Sequence, residues 1–466
     1  MRISVIGCGY LGAVHAASLA KLGHQVIGVD VDPVRLAALE AGRAPFFEPG
    51  FDTLLAEVSA TGRLRFTGSM AEIADCELHF LCVGTPQKPG SGEADLSYVD
   101  AAVRALRDIL ASPDIASAVV AGKSTVPVGT AERLADFFAD SGANVALVWN
   151  PEFLREGFAV QDTLEPDRIV YGLAPGEAGR RGAAALDEAY APILHRGTPK
   201  IETDWATAEL VKVAANSFLA TKISFINAMS EVCDATGGDV LALARAIGLD
   251  ERIGPKFLRA GVGFGGGCLP KDIRAFAARA TALGASGVAA LLTPVDAVNR
   301  RARDRMVDLI AESVGWVVSP GSVGQSQSAE GNHPSEAGLQ PESNPPRLAV
   351  LGAAFKPDSD DTRDSPALDV ARRLAALGAD VHVYDPAAGS IVSRLTPELT
   401  VAQSLSEAAE GAQALIVLTE WREFIDLDPD SVTPLVARRV MIDGRSALPA
   451  ARWRDAGWDF RGPGRP

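Results

Sequence analysis

Ile3-Ser4-Val5-Ile6-Gly7-Cys8-Gly9-Tyr10-Leu11-Gly12 passes from a short apolar run straight into G-x-G-x-x-G. The next ten residues, alanine-rich and unbroken by proline, read as a helix, and Gln25 to Val29 as a second strand ending on Asp30. Three glycines alone are weak evidence, but strand, turn, helix, strand and acid in that order have a physical meaning. Gly7 makes the tight turn, Gly9 admits a pyrophosphate, and Gly12 lets helix and strand pack closely. Tyr10 and Leu11 complete the loop, the phosphates rest on the helix N-terminus, and an acid about 20 residues on takes the ribose hydroxyls. That acid is Asp30. It favours NAD over NADP, whose 2′-phosphate it would repel, although Arg35 leaves NADP open.

The alternation continues outward from this unit. Residues 78–83, 118–121 and 145–148 read as strands, followed by Gly84-Thr85-Pro86, Lys123-Ser124-Thr125-Val126-Pro127 and Asn150 with the stretch to Gly157. In an open parallel sheet, ligands lie beyond the carboxyl ends of the strands, and three polar turns on one rim favour a site over ordinary loop chemistry. Asp204 reads as the N-cap of a long helix running to about Cys233. Lys212 and Asn216 are four apart on it, so they share a face, and their apolar neighbours favour a half-buried pair able to donate hydrogen bonds to an oxygen. Lys222 and Asn227 interrupt the same pattern further on.

Gly261-Val262-Gly263-Phe264-Gly265-Gly266-Gly267 then leads into Cys268, and Leu269-Pro270-Lys271-Asp272 opens another helix. Glycines allow φ > 0 and close approach of a ligand, and proline suits a first helical turn. A helix N-terminus and a nearby ammonium both favour thiolate over thiol. Helical character extends to about residue 318. Residues 319–346 are rich in Ser, Gly, Pro, Gln, Asn and Glu without periodicity, as in a disordered linker. A second α/β pattern follows, with strands at 348–351, 381–384, 414–418 and 440–442 and a helix at 365–377. It lacks a glycine fingerprint, so it should hold something other than the dinucleotide, and Lys356, Arg363 and Arg445 follow its strand ends, where they could meet an anion. The expected fold is α/β: two Rossmann-like doubly wound domains, 1–203 and 347–466, joined by a long helical central region, 204–318, and the linker 319–346.

Composition sets the bounds. The 466 residues are 47% hydrophobic, enough for two or three domains. The net charge of −15 argues against nucleic acid or an anionic membrane as partner; an anionic substrate would need a local basic cluster. Five scattered cysteines suit a reducing cytoplasm rather than a disulfide framework or a zinc site. The six histidines show no metal-ligand spacing, no signal peptide is evident, and no stretch reaches the length of a membrane span.

Taken together, Gly7 to Gly12, Val83 to Pro86, Ser124 to Pro127, Asn150 to Gly157, Lys212 to Asn227, Gly263 to Asp272, Phe355-Lys356 with Asp361-Thr362-Arg363, and Asp443-Gly444-Arg445 resemble the UDP-glucose/GDP-mannose dehydrogenase family over nearly the whole chain. Within that family the motifs look most like the members acting on UDP-glucose. The resemblance implies NAD as cofactor, a nucleotide-sugar substrate, a homodimer or higher homo-oligomer, and two successive oxidations of a sugar CH₂OH to a carboxylate. An aldehyde cannot give up a second hydride until a nucleophile adds, and Cys268 could supply it as a thiohemiacetal and then a thioester. Lys212 and Asn216 would steady the oxyanion. By resemblance, Glu152 is the base for the hydrolytic water, Asp272 and Thr125 position water near the thiol, and Lys271, Thr85, Glu156 and Arg363 lie against NAD. The substrate would meet Glu152, Phe153, Leu154, Arg155 and Glu156, then Phe257, Leu258, Arg259, Ala260 and Gly261, with Gly265 and Lys356, and Arg252 from a neighbouring subunit. Gly267 and Leu269 depart from the family's usual Ser and Phe beside the cysteine. Three rivals stay open: the same chemistry on GDP-mannose or a UDP-N-acetylhexosamine, a single-step hydroxyacid dehydrogenase, and an inactive binding protein.

Overall fold

Ile3 and Val5 of β1 (Arg2–Ile6) pack into one buried layer and Ile6 into another. The strand is apolar on both faces because helices cover both, as a parallel sheet requires. The computed structural model describes residues 1–316 and 345–465; the stretch read as a linker, 319–346, lies outside the described residues except for its last two. The chain forms two compact units, Met1–Ala215 with Ala278–Leu283, and Asn216–Ala277 with Gly284–Pro466.

In the first unit β1 is joined by β2 (Gln25–Val29), β3 (Leu64–Thr67), β4 (Leu78–Leu81), β5 (Ala118–Gly122), β6 (Val145–Trp149), β7 (Ile169–Leu173) and β8 (Lys200–Asp204). Their order is β3-β2-β1-β4-β5-β6-β7-β8. All neighbours run parallel except β6 and β7, paired antiparallel through Val148 with Leu173 and Trp149 with Gly172. Strand order reverses between β1 and β4, and this switch point is where an open sheet leaves a crevice. The Gly7–Gly12 loop and residues 83–86 leave the sheet there.

The second unit repeats the plan with β9 (Arg347–Leu351), β10 (Asp380–Tyr384), β11 (Thr400–Val401), β12 (Ala414–Val417), β13 (Val440–Asp443) and β14 (Asp459–Arg461), all parallel in the order β11-β10-β9-β12-β13-β14. One face packs Val350, Ile416 and Ile442 with Met306 and Ile310; the other packs Leu351, Leu415 and Met441 with Phe424, Trp453 and Trp458. The fold class is the α/β, doubly wound pair expected from the sequence.

Asp204 caps the helix Trp205–Thr236, accepting from Thr207 N–H at 2.8 Å. The helix Leu269–Ala282 follows the glycine run, and the stretch expected to stay helical to about 318 is broken first at residues 283–285, where Gly284 takes φ +78°. The helix Ser286–Val314 then ends on Gly315 in the left-handed region.

Candidate active site

The glycine loop has the shape a dinucleotide needs. Gly7 takes φ +90°, and a Cβ at Gly12 would stand 1.9 Å from the Gly7 carbonyl oxygen, so neither position accepts a side chain. At Gly9 the same test meets open space, which leaves the backbone approachable. Asp30 is buried, accepting from Cys8 N–H at 2.7 Å and from Arg35 Nη1 at 2.8 and 2.9 Å. The carboxylate expected to take the ribose hydroxyls thus also restrains the guanidinium that left NADP open. Tyr10 turns its hydroxyl to the buried Glu48; burial, then this hydrogen bond, push the phenol upward, so it remains a donor. Glu48 also accepts from Gly157 N–H at 2.6 Å and Ala159 N–H at 2.7 Å, tying the glycine loop's helix to the end of the 150–157 stretch.

Beyond β4 and β5, Thr85 Oγ1 donates to the Thr125 carbonyl at 2.8 Å and Ser124 Oγ to the Val83 carbonyl at 2.6 Å, which locks the two turns together. Beyond β6, Glu152 forms an ion pair with Lys212 at 2.8 Å, both side chains being largely buried, and accepts from Leu154 N–H at 2.8 Å. Phe153 lies under the Lys212 ammonium at 5.9 Å and stacks on Arg168 at 3.8 Å. Arg155 is held by Asp162 on the surface, and Glu156 is buried.

In the second unit Cys268 is exposed at the N-cap position of the helix Leu269–Ala282, its carbonyl accepting from Asp272 N–H at 3.0 Å. Asp272 is buried. One oxygen accepts from Asn216 Nδ2 at 2.7 Å and the other from Lys271 Nζ at 2.6 Å. A carboxylate fixed from two sides in this way keeps a defined orientation one turn from the sulfur.

Of the glycines before Cys268, Gly263 and Gly266 take φ of +91° and +85°. What comes close to their backbone is the chain itself. A Cβ at Gly261 would stand 2.4 Å from the Gly444 carbonyl, at Gly265 2.4 Å from the Asp364 carbonyl, and at Gly266 2.8 Å from the Phe355 ring. At Gly267, where the resemblance leads one to expect serine, the Arg363 guanidinium lies 2.4 Å from the Cβ position. Arg445 has a task of its own in the structure: its guanidinium donates to the carbonyls of Leu418, Gly263 and Phe355, and burial lowers its pKa. Lys356 stands over the Phe355 ring at 5.4 Å. In the run 257–261, Leu258, Ala260 and Gly261 are buried, Arg259 nears Glu420, and Phe257 is half-exposed at a strained φ of +65°. Arg252 is 88% exposed and paired with Asp250. Lys222, noted in the sequence, fastens the carbonyls of Ile253 and Gly254 beside it.

Residues 1–194 match the NAD binding domain of the UDP-glucose/GDP-mannose dehydrogenase family, 206–301 its central domain and 349–450 its UDP binding domain. The chain belongs to that family. A UDP-glucose 6-dehydrogenase of Rhizobium meliloti is 39% identical over 100% of both chains, and one of Pseudomonas aeruginosa 38% identical over 100% of this chain and 98% of its own. Among solved structures, a UDP-glucose dehydrogenase from Pyrobaculum islandicum superposes with a TM-score of 0.85 at 35% identity, covering 100% of this chain and 98% of that one. The protein is therefore an NAD-dependent dehydrogenase acting on nucleotide sugars, and the Gly7–Gly12 cradle fits NAD.

Family membership leaves several supporting residues to be found in the structure. Glu209, on the long helix, accepts from Gly129 and Ala131 N–H at 2.8 and 2.7 Å and so holds the turn that follows Thr125. Asn299 accepts from Phe264 N–H at 2.7 Å and donates to its carbonyl at 3.0 Å, and Asn227 accepts from Gly261 N–H at 2.8 Å. With Glu48, these residues shape the loops while their partners lie far away in sequence; nothing local marks Glu48, Glu209 or Asn299.

Proposed function

We propose that the chain oxidises UDP-glucose to UDP-glucuronate in two steps, with Cys268 as the nucleophile of the second. Two molecules of NAD, bound in turn, would supply the hydride acceptors for the two oxidations; Gly7 to Gly12, Asp30, Thr85, Glu156, Lys271 and Arg363 would hold them. In the first step the CH₂OH becomes an aldehyde. The Cys268 thiolate then adds to the carbonyl carbon, forming a C–S bond and sending an electron pair onto oxygen, where Lys212 and Asn216 steady it. Loss of the second hydride turns this thiohemiacetal into a thioester. Glu152 takes a proton from a water ordered by Asp272 and Thr125; the water adds, the C–S bond breaks, and the acid leaves with the thiolate restored.

The observation that carries this reading is the exposed Cys268 at a helix N-terminus, one turn before an Asp272 bound to both Asn216 and Lys271. The UDP-glucose 6-dehydrogenase relatives support the choice of sugar. A homodimer or higher oligomer is supported by Phe218, Phe225 and Val232, spaced seven apart on the long helix and 67%, 48% and 53% exposed; Arg252 of a second copy would then complete the substrate site.

The test is stoichiometry. UDP-glucose, GDP-mannose and the UDP-N-acetylhexosamines are each incubated with NAD, and NADH is counted per sugar. Two NADH per UDP-glucose, with acid formation abolished in Cys268→Ala, is expected. One NADH per molecule from wild type and variant alike would mean a single-step dehydrogenase, and turnover of another sugar alone would reassign the substrate.

A further inference from the structure

Asp364 stands in the left-handed region at φ +48°, a conformation that residues with a Cβ adopt only at a cost. It follows Arg363 and precedes Ser365, the N-cap of the helix Pro366–Ala376. Two arginines from other elements grip it. Arg274 Nη1 donates to Oδ2 at 3.0 Å, while Arg303 Nη2, on the helix Ser286–Val314, donates to Oδ1 at 3.3 Å and to the Asp364 carbonyl at 3.4 Å. Each arginine has a second anchor. Arg274 Nε and Nη2 donate to the two oxygens of the buried Asp296 at 3.1 and 3.2 Å, and Arg303 Nη1 donates to Asp369 at 3.3 Å.

These contacts converge on the segment that carries the sulfur. Arg303 Nη2 also donates to the Phe264 carbonyl at 3.3 Å. The Asp364 carbonyl lies against Gly265, where a Cβ would meet it at 2.4 Å, and Gly266 N–H donates to the Arg363 carbonyl at 2.9 Å. Three successive residues ahead of Gly267 and Cys268 are thus held from one place. Beyond Cys268, Arg274 lies on the helix Leu269–Ala282, two residues past Asp272 and therefore on the opposite side of that helix. One carboxylate ties the backbone before the cysteine to the helix after it. Glycine takes φ +48° without strain, so backbone geometry alone gives no reason for a carboxylate at 364; the two guanidinium groups do.

We propose that Asp364, clamped by Arg274 and Arg303, is a positioning residue for the second oxidation: it fixes the Cys268 thiol where the sulfur captures the aldehyde. The inference rests on the reading of Cys268 as the nucleophile. Forming the aldehyde makes no use of the thiol. Adding the thiol to it requires sulfur and carbonyl carbon at attack distance, and a misplacement of about 1 Å costs roughly a hundredfold. A loosened clamp lets the aldehyde leave before the C–S bond forms.

The experiment is product partition in the presence of semicarbazide, an aldehyde trap, with NAD and the nucleotide sugar that wild type oxidises. Wild type, Asp364→Gly, Asp364→Asn and Arg274→Met are compared, with Cys268→Ala as control, and both NADH per sugar and trapped semicarbazone are counted. Wild type is expected to give two NADH and little semicarbazone. Asp364→Gly and Arg274→Met should raise the semicarbazone roughly tenfold or more and draw NADH toward one per sugar. Asp364→Asn tolerates the same φ and keeps one acceptor oxygen, so it should fall between them and wild type. Former partners keep a countercharge in these variants: Arg274 keeps Asp296, Arg303 keeps Asp369, and Asp296 keeps Arg300. A purely structural role would lower both oxidations together without moving the partition. Wild-type partition in Asp364→Gly and Arg274→Met overturns the proposal; should either fail to fold, the same result in the other, or in Asp364→Asn, does so. Loss of acid in Cys268→Ala with unmoved clamp variants overturns the proposal alone. Acid formation by Cys268→Ala overturns the nucleophile assignment and takes the proposal with it.

Discussion

Glu209 lies three residues before Lys212 and reaches the turn after Thr125, where it accepts two backbone N–H bonds. Burial outweighs those donors and pushes it up to about 7. An acid whose folded pKa is raised binds its proton more tightly when folded, so its contribution is complete below the unfolded value and lost as pH rises through about 7. The stability of wild type relative to Glu209→Gln is therefore expected to fall by roughly 2 kcal/mol between pH 5 and pH 8, read from denaturant titrations at each pH. Such residues were hidden in the sequence for a physical reason. Glu209 meets its partners 78 and 80 positions away, and Glu48 meets Gly157 and Ala159 109 and 111 away, whereas sequence patterns report neighbours within a turn or a strand. Lys212 and Asn216 stood out because one helical face carried both, and Cys268 because glycines and a proline surrounded it.

Elements were legible where burial imposes a period. The inner strands of both sheets are apolar runs closed by turn residues, and they were readable as such. The outer strands were not: β8 reads Lys-Ile-Glu-Thr-Asp and is mostly exposed, so no alternation betrays it, and the antiparallel pairing of β7 with β6 has no local signature. The long helix carries a second kind of pattern. Phe218, Phe225 and Val232 recur every seventh residue with their side chains in water, which is the spacing of a seam between helices. Phe225→Asp is expected to shift the sedimentation coefficient to that of a monomer while leaving far-ultraviolet circular dichroism unchanged. A variant that sediments as wild type would remove this helix from the subunit contact.

At the scale of the whole molecule, one strand plan occurs twice, and only its first copy carries the glycine fingerprint. The sequence announced both copies through the alternation of strands and helices. It did not announce that the backbone ahead of Cys268 is moulded by the second copy's Phe355, Asp364 and Gly444. A chain ended at residue 316 keeps both buried layers of the first sheet. It is expected to bind NAD more weakly than the full chain and to show unprotected amides at 261–267 by hydrogen exchange; protection equal to the full chain would mean that the loop shapes itself. On the ribosome, the cysteine's loop emerges well before the strands that press it into form. A nascent or prematurely terminated polypeptide would then carry the Gly7–Gly12 cradle ahead of a finished loop, and the shaping of the backbone before Cys268 would wait until residues 355–444 had been translated.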